Sequence, residues 1–249
     1  MEVPNLFIPG AARCGTTSLH AILGQHPEVH AHFYKEPTFF NFPFRFVSNP
    51  FEYFDLFDSP KRYRLDASAN YLANPRTPIL LRKLFPEARF IITLRHPKEH
   101  AYSLFRLMRH LQAETISDFT SALKAEAQRS QSSDFATNCA YDFRNFLYVG
   151  STLYDEQLRR YFSQFDRKQL HILTLAELAK DPRATTERML QFLELDTAPA
   201  RNFSYEPQGI IDSKKPRYDS ESDRIMGDAF EGLTQRTDEV VGRALDWSL

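Results

Sequence analysis

Short apolar runs alternate with amphipathic segments along most of the chain, and this alternation predicts a parallel α/β architecture. The clearest run is Arg89–Leu94, and a continuous apolar run is typical of a strand that is covered on both faces. The other predicted strands are residues 6–8, 63–66 and 170–173. We therefore expect a three-layer α/β/α fold, with helices flanking a central parallel sheet, in a single domain over residues 1–249.

Amphipathic segments predict the helices between these strands. The predicted helices are residues 17–23, residues 78–85, a helix that begins at Pro97 and carries residues 103–109, residues 153–162, residues 185–193 and a helical region over residues 220–245. In the second of these we expect Ile79, Leu80 and Leu84 to face the core. Residues 114–129 predict a solvated helix, with a lid as the alternative. Residues 196–219 lose periodicity, which predicts a long loop.

The most distinctive motif is residues 10–18, which lie between the first predicted strand and the first helix. Glycines at both ends allow the backbone to turn tightly. The amides at the start of the helix then point at a bound anion, with the positive end of the helix dipole behind them. The spacing is that of a nucleotide P-loop, but Thr16 replaces the P-loop lysine and the cation lies inside the loop at Arg13.

Composition restricts the partners that such a loop can serve. The formal net charge is −1, so a site for anions must be local, and nucleic acid is not an expected partner. Two cysteines do not form a disulfide framework. The sequence contains no apolar run that is long enough to span a membrane and no signal-peptide pattern at residues 1–5. We therefore expect a soluble, cytoplasmic protein.

Three blocks in a fixed order give the chain a resemblance to a known family. They are residues 10–18, the segment Lys-Glu-Pro-Thr-Phe-Phe at 35–40, and Arg-His-Pro at 95–97 followed by Ser103. A weaker fourth block is the basic stretch 214–218. Together they resemble the sulfotransferases that use 3′-phosphoadenosine-5′-phosphosulfate (PAPS), in particular bacterial enzymes and the heparan sulfate N- and 3-O-sulfotransferases.

The resemblance covers nearly the whole chain, and it implies both a fold and an activity. The implied fold is the P-loop-like α/β/α arrangement. The implied reaction, of the EC 2.8.2 type, transfers a sulfuryl group from PAPS to a hydroxyl, or less favourably an amine, of a small-molecule, glycan or lipid acceptor. The product is adenosine 3′,5′-bisphosphate (PAP), and no metal is required.

The resemblance also implies which residues hold the donor. The cofactor contacts are Arg13, Cys14, Gly15, Thr16, Thr17 and Ser18 at the 5′-phosphosulfate, Arg95 and Ser103 at the 3′-phosphate, and Lys215 and Arg217 in the basic stretch that closes over the nucleotide. Arg13 stands where many relatives have lysine. Because arginine stays charged, we expect it to stabilise the leaving phosphate and not to donate a proton. Ser103 lies about two helical turns after Arg95, on the same side. Thr17 is a candidate helix cap.

Glu36 is the candidate general base, because the acceptor hydroxyl must lose a proton as it attacks sulfur. A salt bridge between Glu36 and Lys35 or a loop arginine is the structural alternative. His30 and His32 are alternative bases, since other sulfotransferase subgroups use histidine. His100 occupies a position that is often basic in the family that the chain resembles, so we expect either a basic contact or a solvated helix residue.

Four residues are predicted to bind the acceptor, namely Lys35, Phe40, Ser68 and Asn70. Asp66 is a further polar candidate, while Ala67 stands where some carbohydrate enzymes carry lysine. A dense aromatic block packs an insertion onto the core, or alternatively forms a groove for an apolar acceptor. Its members are Phe39, Phe40, Phe42, Phe44, Phe46, Phe51, Tyr53, Phe54 and Phe57.

Two other classes of protein share some of these features. A P-loop NTPase or small-molecule kinase would also need a phosphate-binding loop, but Thr16 and the arginine at the end of the strongest strand speak against it. A non-enzymatic nucleotide-binding protein is the third reading. The presence of Arg13, Glu36, Arg95 and Ser103 argues against that reading.

Overall fold

The structure is a computed structural model, and it describes residues 2–207 and 218–248. Within these residues the strands are β1 (Leu6–Phe7), β2 (Val29–Ala31), β3 (Tyr63–Asp66), β4 (Arg89–Leu94) and β5 (Leu170–Thr174). The α-helices are α1 (Thr16–Leu23), α2 (Pro50–Asp55), α3 (Thr77–Leu84), α4 (Pro97–His110), α5 (Phe119–Gln131), α6 (Ser133–Asn138), α7 (Tyr154–Phe162), α8 (Leu175–Lys180), α9 (Pro182–Phe192), α10 (Ser220–Ala229) and α11 (Leu233–Val241).

The five strands form one parallel sheet in the order β2-β3-β1-β4-β5. The short strand β1 lies at its centre, where Phe7 is opposite Asp66 of β3 on one side and Phe90 of β4 on the other. All strands run in the same direction, so their carboxyl ends meet at one edge of the sheet. Ligands of open α/β sheets bind at this edge.

Two separate apolar layers cover the faces of the sheet, because successive side chains in a strand point to opposite faces. Phe7 and Ile92 face a cluster that includes residues of α3, α7 and α11. Leu6 and Ile91 face a second cluster, which includes residues of α1 and α9. The sequence-based prediction of a three-layer α/β/α fold with a central parallel sheet is therefore confirmed.

A third apolar cluster joins α4, α5 and α10 beside the sheet. Phe119 and Leu123 of α5 are buried in it, so this helix is not the solvated helix that the charged residues around it predicted. Glu114 precedes α5 and is itself buried, where its carboxylate pairs with Arg129 at 2.7 Å and accepts a hydrogen bond from Tyr148 at 2.7 Å. The cluster therefore packs α5 firmly against α4.

The sequence pattern located the longer elements and missed some short ones. The strand predictions and the start of α4 at Pro97 are confirmed. The pattern did not identify β2 or α2, each of which is short. The predicted C-terminal helical region is two helices, α10 and α11, separated near Gly232, where φ is +63°. No helix among the described residues is both long enough and apolar enough to cross a membrane.

The predicted orientation of α3 is wrong. Ile79 and Leu84 are 57% and 51% exposed, whereas Leu81 is fully buried in the core beneath the helix. A run of three consecutive apolar residues, Ile79 to Leu81, does not define a unique helical face, and packing against the sheet selects Leu81. Leu80 is only partly buried and packs at the edge of the same cluster.

We expect Leu81→Ala to lower the free energy of unfolding by about 2–5 kcal/mol, because it removes buried methyl groups and leaves a cavity. The matched variant Ile79→Ala removes exposed atoms, and its effect should stay within about 0.5 kcal/mol. Urea unfolding followed by circular dichroism measures both. Equal losses for the two variants would contradict the orientation of α3.

Candidate functional site

A cavity of about 380 Å³ opens at the carboxyl edge of the sheet. Its polar part is lined by Arg13, residues 15–18, Glu36, Asn70 and Arg95. These residues belong to four groups: the loop after β1, the segment that carries the candidate base, the turn after β3 that carries Asn70, and the end of β4. The fold therefore brings them to one place, although as many as 82 positions separate Arg13 from Arg95.

The loop after β1 is held rigidly against its neighbours. Thr93 of β4 anchors both of its ends, since its carbonyl accepts from Ala11 N at 2.7 Å and its hydroxyl donates to the Cys14 carbonyl at 2.8 Å. A Cβ on Gly10 would lie 2.6 Å from the Ala69 carbonyl oxygen, and one on Gly15 would lie 2.8 Å from Leu175. Both glycines also have positive φ angles, so close approach and backbone conformation both require glycine here.

Helix α1 begins at Thr16, and its first intrahelical bond runs from Leu19 N to the Gly15 carbonyl at 3.0 Å. Residues 15–18 form the start of the helix before that bond, and all four line the cavity. Two details of the prediction need correction. Thr17 lies inside the helix and Gly15 is the cap residue, without a side-chain cap bond. The Cys14 amide donates to the Ala11 carbonyl, so the donor set for an anion begins at Gly15.

The Cys14 thiol is buried behind the loop and faces away from the cavity. Burial raises its pKa to about 12, so the thiol stays protonated and unreactive at neutral pH. Its sulfur lies 3.9 Å from the hydroxyl of Tyr154, which also donates to the Arg95 carbonyl at 3.0 Å. Tyr154 thereby connects the loop after β1 with the end of β4.

The structure joins two of the predicted donor-binding residues directly. Arg13 Nε donates to Ser103 Oγ at 3.2 Å, which connects the loop to the middle of α4. Arg13 adopts a left-handed φ of +63°, and this conformation directs its side chain along the cavity that it lines. Ser103 itself is almost fully buried beneath the arginine.

Arg95 lines the cavity and is paired with Glu99 in the first turn of α4 at 3.2 Å. Arg95 is thus paired with a carboxylate at the start of the helix that follows its strand. The same residue still borders the cavity, where an incoming phosphate would compete with Glu99 for the guanidinium. Arg95 and Arg13 are the cations among the described residues that line the cavity.

His100 is buried on α4, so its interpretation as a solvated helix residue is wrong. Its Nδ1 forms a hydrogen bond with Tyr154 Oη at 2.8 Å. Burial lowers the pKa of His100 to about 3, and the charges of Arg95 and Arg13 act in the same direction. His100 is therefore neutral at physiological pH and positions Tyr154 without adding a cation.

Glu36 lines the cavity and forms a salt bridge with Lys35. The salt-bridge alternative and a place in the cavity therefore occur together. Glu36 and Thr38 both have positive φ angles, +62° and +51°. A segment in this conformation needs surrounding contacts to hold it.

Asp66 supplies those contacts from the end of β3. Its buried carboxylate accepts from Ser68 at 2.6 Å, Tyr53 at 2.8 Å and Tyr71 at 3.1 Å. Ser68 then accepts from Thr38 N, and Tyr71 accepts from Phe40 N. Burial raises the pKa of Asp66 to about 6, although the three hydroxyl donors oppose this shift. The network fixes the backbone just after Glu36.

The predicted acceptor-binding residues fall into two groups. Asn70 lies in the short turn after β3 and lines the cavity, and Lys35 is paired with Glu36 beside it. Phe40 and Ser68 are buried, and neither lines the cavity. Phe40 packs against Tyr53, Tyr71 and Phe85 in the core, and Ser68 belongs to the Asp66 network. Their positions contradict direct acceptor contacts, because ring packing and buried hydrogen bonds enclose both side chains.

The other candidate residues are placed as follows. His30 and His32, the alternative bases, lie on and just after β2, outside the lining of the cavity. Lys215 and Arg217, predicted to close over the nucleotide, lie outside the described residues. Within residues 2–207 and 218–248, no three His, Cys, Asp or Glu side chains are grouped so as to hold a metal ion.

Phe44 and Phe46 of the aromatic block line the cavity together with Tyr141, which fits the groove alternative for these two residues. Sequence reasoning missed the rest of the apolar wall, which is formed by Leu104, Leu107 and Met108 of α4 and by Leu111, the residue that caps its end. These four residues have the spacing of a single helical face, so the pattern was available in the sequence. It was hidden because the same spacing is typical of a face that packs on a core.

Comparison with known proteins identifies the family. The sulfotransferase domain family matches residues 4–225, and the chain belongs to this family. Membership supports sulfuryl transfer in general. A sulfotransferase from Alicyclobacillus acidocaldarius has a similar structure, with a TM-score of 0.81 and 26% identity over 98% of this chain and 97% of that one. The sulfotransferase domain from the curacin biosynthetic pathway shares the fold, with a TM-score of 0.55 and 14% identity over 91% and 97% of the two chains.

Curated relatives are similar in sequence as well. The bifunctional heparan sulfate N-deacetylase/N-sulfotransferase 1 of Caenorhabditis elegans is 22% identical over 96% of this chain. The corresponding human protein 2 is 27% identical over 77% of this chain. The chain spans only 28% and 22% of the lengths of these two relatives.

We expect acid to destabilise the protein partly through His100. Its folded pKa of about 3 lies below the ordinary value of 6.5, so its contribution is complete above pH 6.5 and is lost as the pH falls toward 3. The loss reaches about 1.4 kcal/mol per pH unit. Urea unfolding between pH 7 and pH 4 should show a shallower decline for His100→Gln than for the wild type. His110→Gln, at the exposed end of the same helix, should keep the wild-type slope, and a wild-type slope in both variants would contradict the argument.

Proposed function

We propose that this chain is a PAPS-dependent sulfotransferase that forms one domain over residues 1–249. It transfers the sulfuryl group to a hydroxyl, with an amine as the less favoured acceptor. Glu36 acts as the general base and Arg13 stabilises the leaving phosphate. The observation that carries the proposal is the convergence of the Arg13 loop, Arg95 and Glu36 on one cavity.

The donor set of the cavity fits a nucleotide that carries an anion at each end. Helix-start amides at residues 15–18 suit the 5′-phosphosulfate, since they present several N–H groups and the positive end of a helix dipole. Arg95, at the end of β4, is suited to the 3′-phosphate, with Ser103 near Arg13 as a second polar contact. Arginine forks match the oxygens of such groups. In this proposal Lys215 and Arg217 complete the nucleotide site.

PAPS supplies the activated sulfuryl group, whose bond to the phosphate oxygen breaks as the acceptor oxygen bonds to sulfur. Glu36 accepts the proton that the acceptor hydroxyl loses. Arg13 and the helix-start amides stabilise the charge that grows on the departing phosphate, which is the main catalytic demand of such transfers. Asp66 holds the segment after Glu36 in place, and Tyr154 holds the end of β4 that carries Arg95.

Isothermal titration calorimetry tests the donor. We expect PAP to bind without magnesium, and Arg95→Ala to weaken PAP by about ten- to a hundredfold, because a charge-assisted contact to the 3′-phosphate is lost. Adenosine 5′-phosphosulfate has no 3′-phosphate, so the same variant should change its affinity much less.

Lys98→Ala is the matched control for that titration. It removes a positive charge three residues away, but Lys98 pairs with Asp223 at 2.6 Å and lies outside the cavity lining. Its affinity for PAP should equal that of the wild type. Magnesium-dependent binding of ATP with indifference to PAP would overturn the proposal and favour a P-loop NTPase or kinase.

Glu36→Gln tests the base. We expect a loss of about 10²- to 10⁴-fold in kcat, because the variant cannot accept a proton, while PAP affinity stays unchanged. Transfer of label from PAPS and PAP calorimetry measure the two quantities. Glu28→Gln, at an exposed position before β2, is the control and should retain activity. If Glu36→Gln instead weakened PAP, Glu36 would belong to the nucleotide site.

A further inference from the structure

The roles proposed for the polar groups leave the apolar wall of the cavity without a role. Leu104, Leu107, Met108 and Leu111 recur at the spacing of one helical face and line the cavity along the second half of α4. Leu104 follows Ser103, the partner of Arg13, and Leu111 lies about 10 Å farther along the helix axis. The stripe therefore begins beside the phosphate-binding loop and leads away from it.

An aromatic wall lines the cavity next to the candidate base. Phe46 N donates to the Thr38 hydroxyl at 2.8 Å, two residues after Glu36. Phe44 packs against Phe46 and Tyr141, with ring centroids 5.0 Å and 6.2 Å apart. Because Glu36 must touch the acceptor hydroxyl, the body of the acceptor lies against this wall.

The aromatic wall is built into the structure. Asp142 is fully buried and accepts from Asn41 at 2.6 Å, and the same Asn41 amide donates to the Phe44 carbonyl at 3.2 Å. Arg144 pairs with Asp142 and donates to the Phe42 carbonyl. These buried bonds tie the segment that carries Phe44 to the segment that carries Tyr141.

Few charged side chains line the cavity. Among the described residues that line it, the charged side chains are Arg13, Glu36 and Arg95, all of which the proposed reaction uses. Phe46 and Leu111 remain 53% and 37% exposed, so an acceptor can still remove apolar surface from water. Against the apolar part of this lining an anionic acceptor would lose hydration, and the two arginines among the described lining residues are assigned to the donor in the proposed reaction.

We propose that the acceptor is an uncharged apolar alcohol, whose hydrocarbon body lies between the α4 stripe and the aromatic wall while its hydroxyl faces Glu36. The inference rests on the proposed function and narrows its acceptor. It distinguishes this chain from the curated relatives, whose names give heparan sulfate as the substrate.

Binding to the PAP-saturated protein tests the acceptor separately from the donor. The probes are 2-naphthol, 6-hydroxy-2-naphthoate, which adds a carboxylate to the same ring, and an N-desulfated heparin oligosaccharide. We expect 2-naphthol to bind at least about tenfold more tightly than either anion, because only it avoids burying an unpaired charge.

Leu107→Lys and Leu111→Lys place a cation on the proposed wall. Both positions are partly exposed, so the variants should fold. Each variant should bind 2-naphthol about tenfold more weakly than the wild type does. The ratio of its affinity for 6-hydroxy-2-naphthoate to its affinity for 2-naphthol should rise by at least the same factor, while its affinity for PAP stays unchanged. Leu84→Lys makes the same substitution at an exposed position of α3 and should leave every affinity unaltered.

The outcomes separate the two proposals. Failure of PAP to bind overturns the proposed function and this inference with it. If PAP binds but 2-naphthol does not, or if either anion binds as tightly as 2-naphthol, the donor assignment stands and the apolar acceptor is wrong. An unchanged affinity ratio in Leu107→Lys and Leu111→Lys likewise removes the α4 stripe from the acceptor site.

Discussion

Parallel pairing of β1 with β3 on one side and β4 on the other is the constraint on which the candidate site depends. Because the carboxyl ends of three adjacent parallel strands meet, the loop after β1, the Asp66 network after β3 and Arg95 after β4 are brought to one edge. Thr93 then fixes the loop to β4 through its carbonyl and its hydroxyl. The strand register therefore sets the positions of the candidate chemical groups more than local conformational preferences do.

Three buried polar residues near the cavity, Cys14, His100 and Asp66, support its structure. Cys14 and His100 are both neutral at physiological pH because they are desolvated. In the part of the chain that the structure describes, the cations that line the cavity are Arg13 and Arg95. Asp66 has a different role. Its carboxylate accepts hydrogen bonds from three hydroxyl groups, and two of these, on Ser68 and Tyr71, accept hydrogen bonds from the backbone after Glu36. These groups hold the loops in place while the two arginines and Glu36 face the cavity.

The sequence predicted the fold class and four strands because each has a strong local signal. Residues 90–94 are almost entirely apolar, Pro97 suits the first turn of a helix, and residues 10–18 combine glycine turns with a helix start. The sequence-based prediction failed where one local pattern is compatible with several structures. Three consecutive apolar residues in α3 did not reveal that Leu81 is the buried one, and Phe40 and Ser68 gave no sign of their burial. The single-domain organisation and the cytoplasmic location stay predictions.

The sequence by itself determined which chemical groups are available: a glycine-bounded loop with arginine inside it, an arginine after the strongest strand, and a carboxylate before an aromatic pair. Their identities depend on residue type and spacing, which the chain carries directly. Only the tertiary structure decided which of them share a cavity, and that α4 presents Leu107 and Leu111 to that cavity and not to a core. A helical face of leucines has the same pattern in both settings, so the packing of the rest of the chain determines what that face meets.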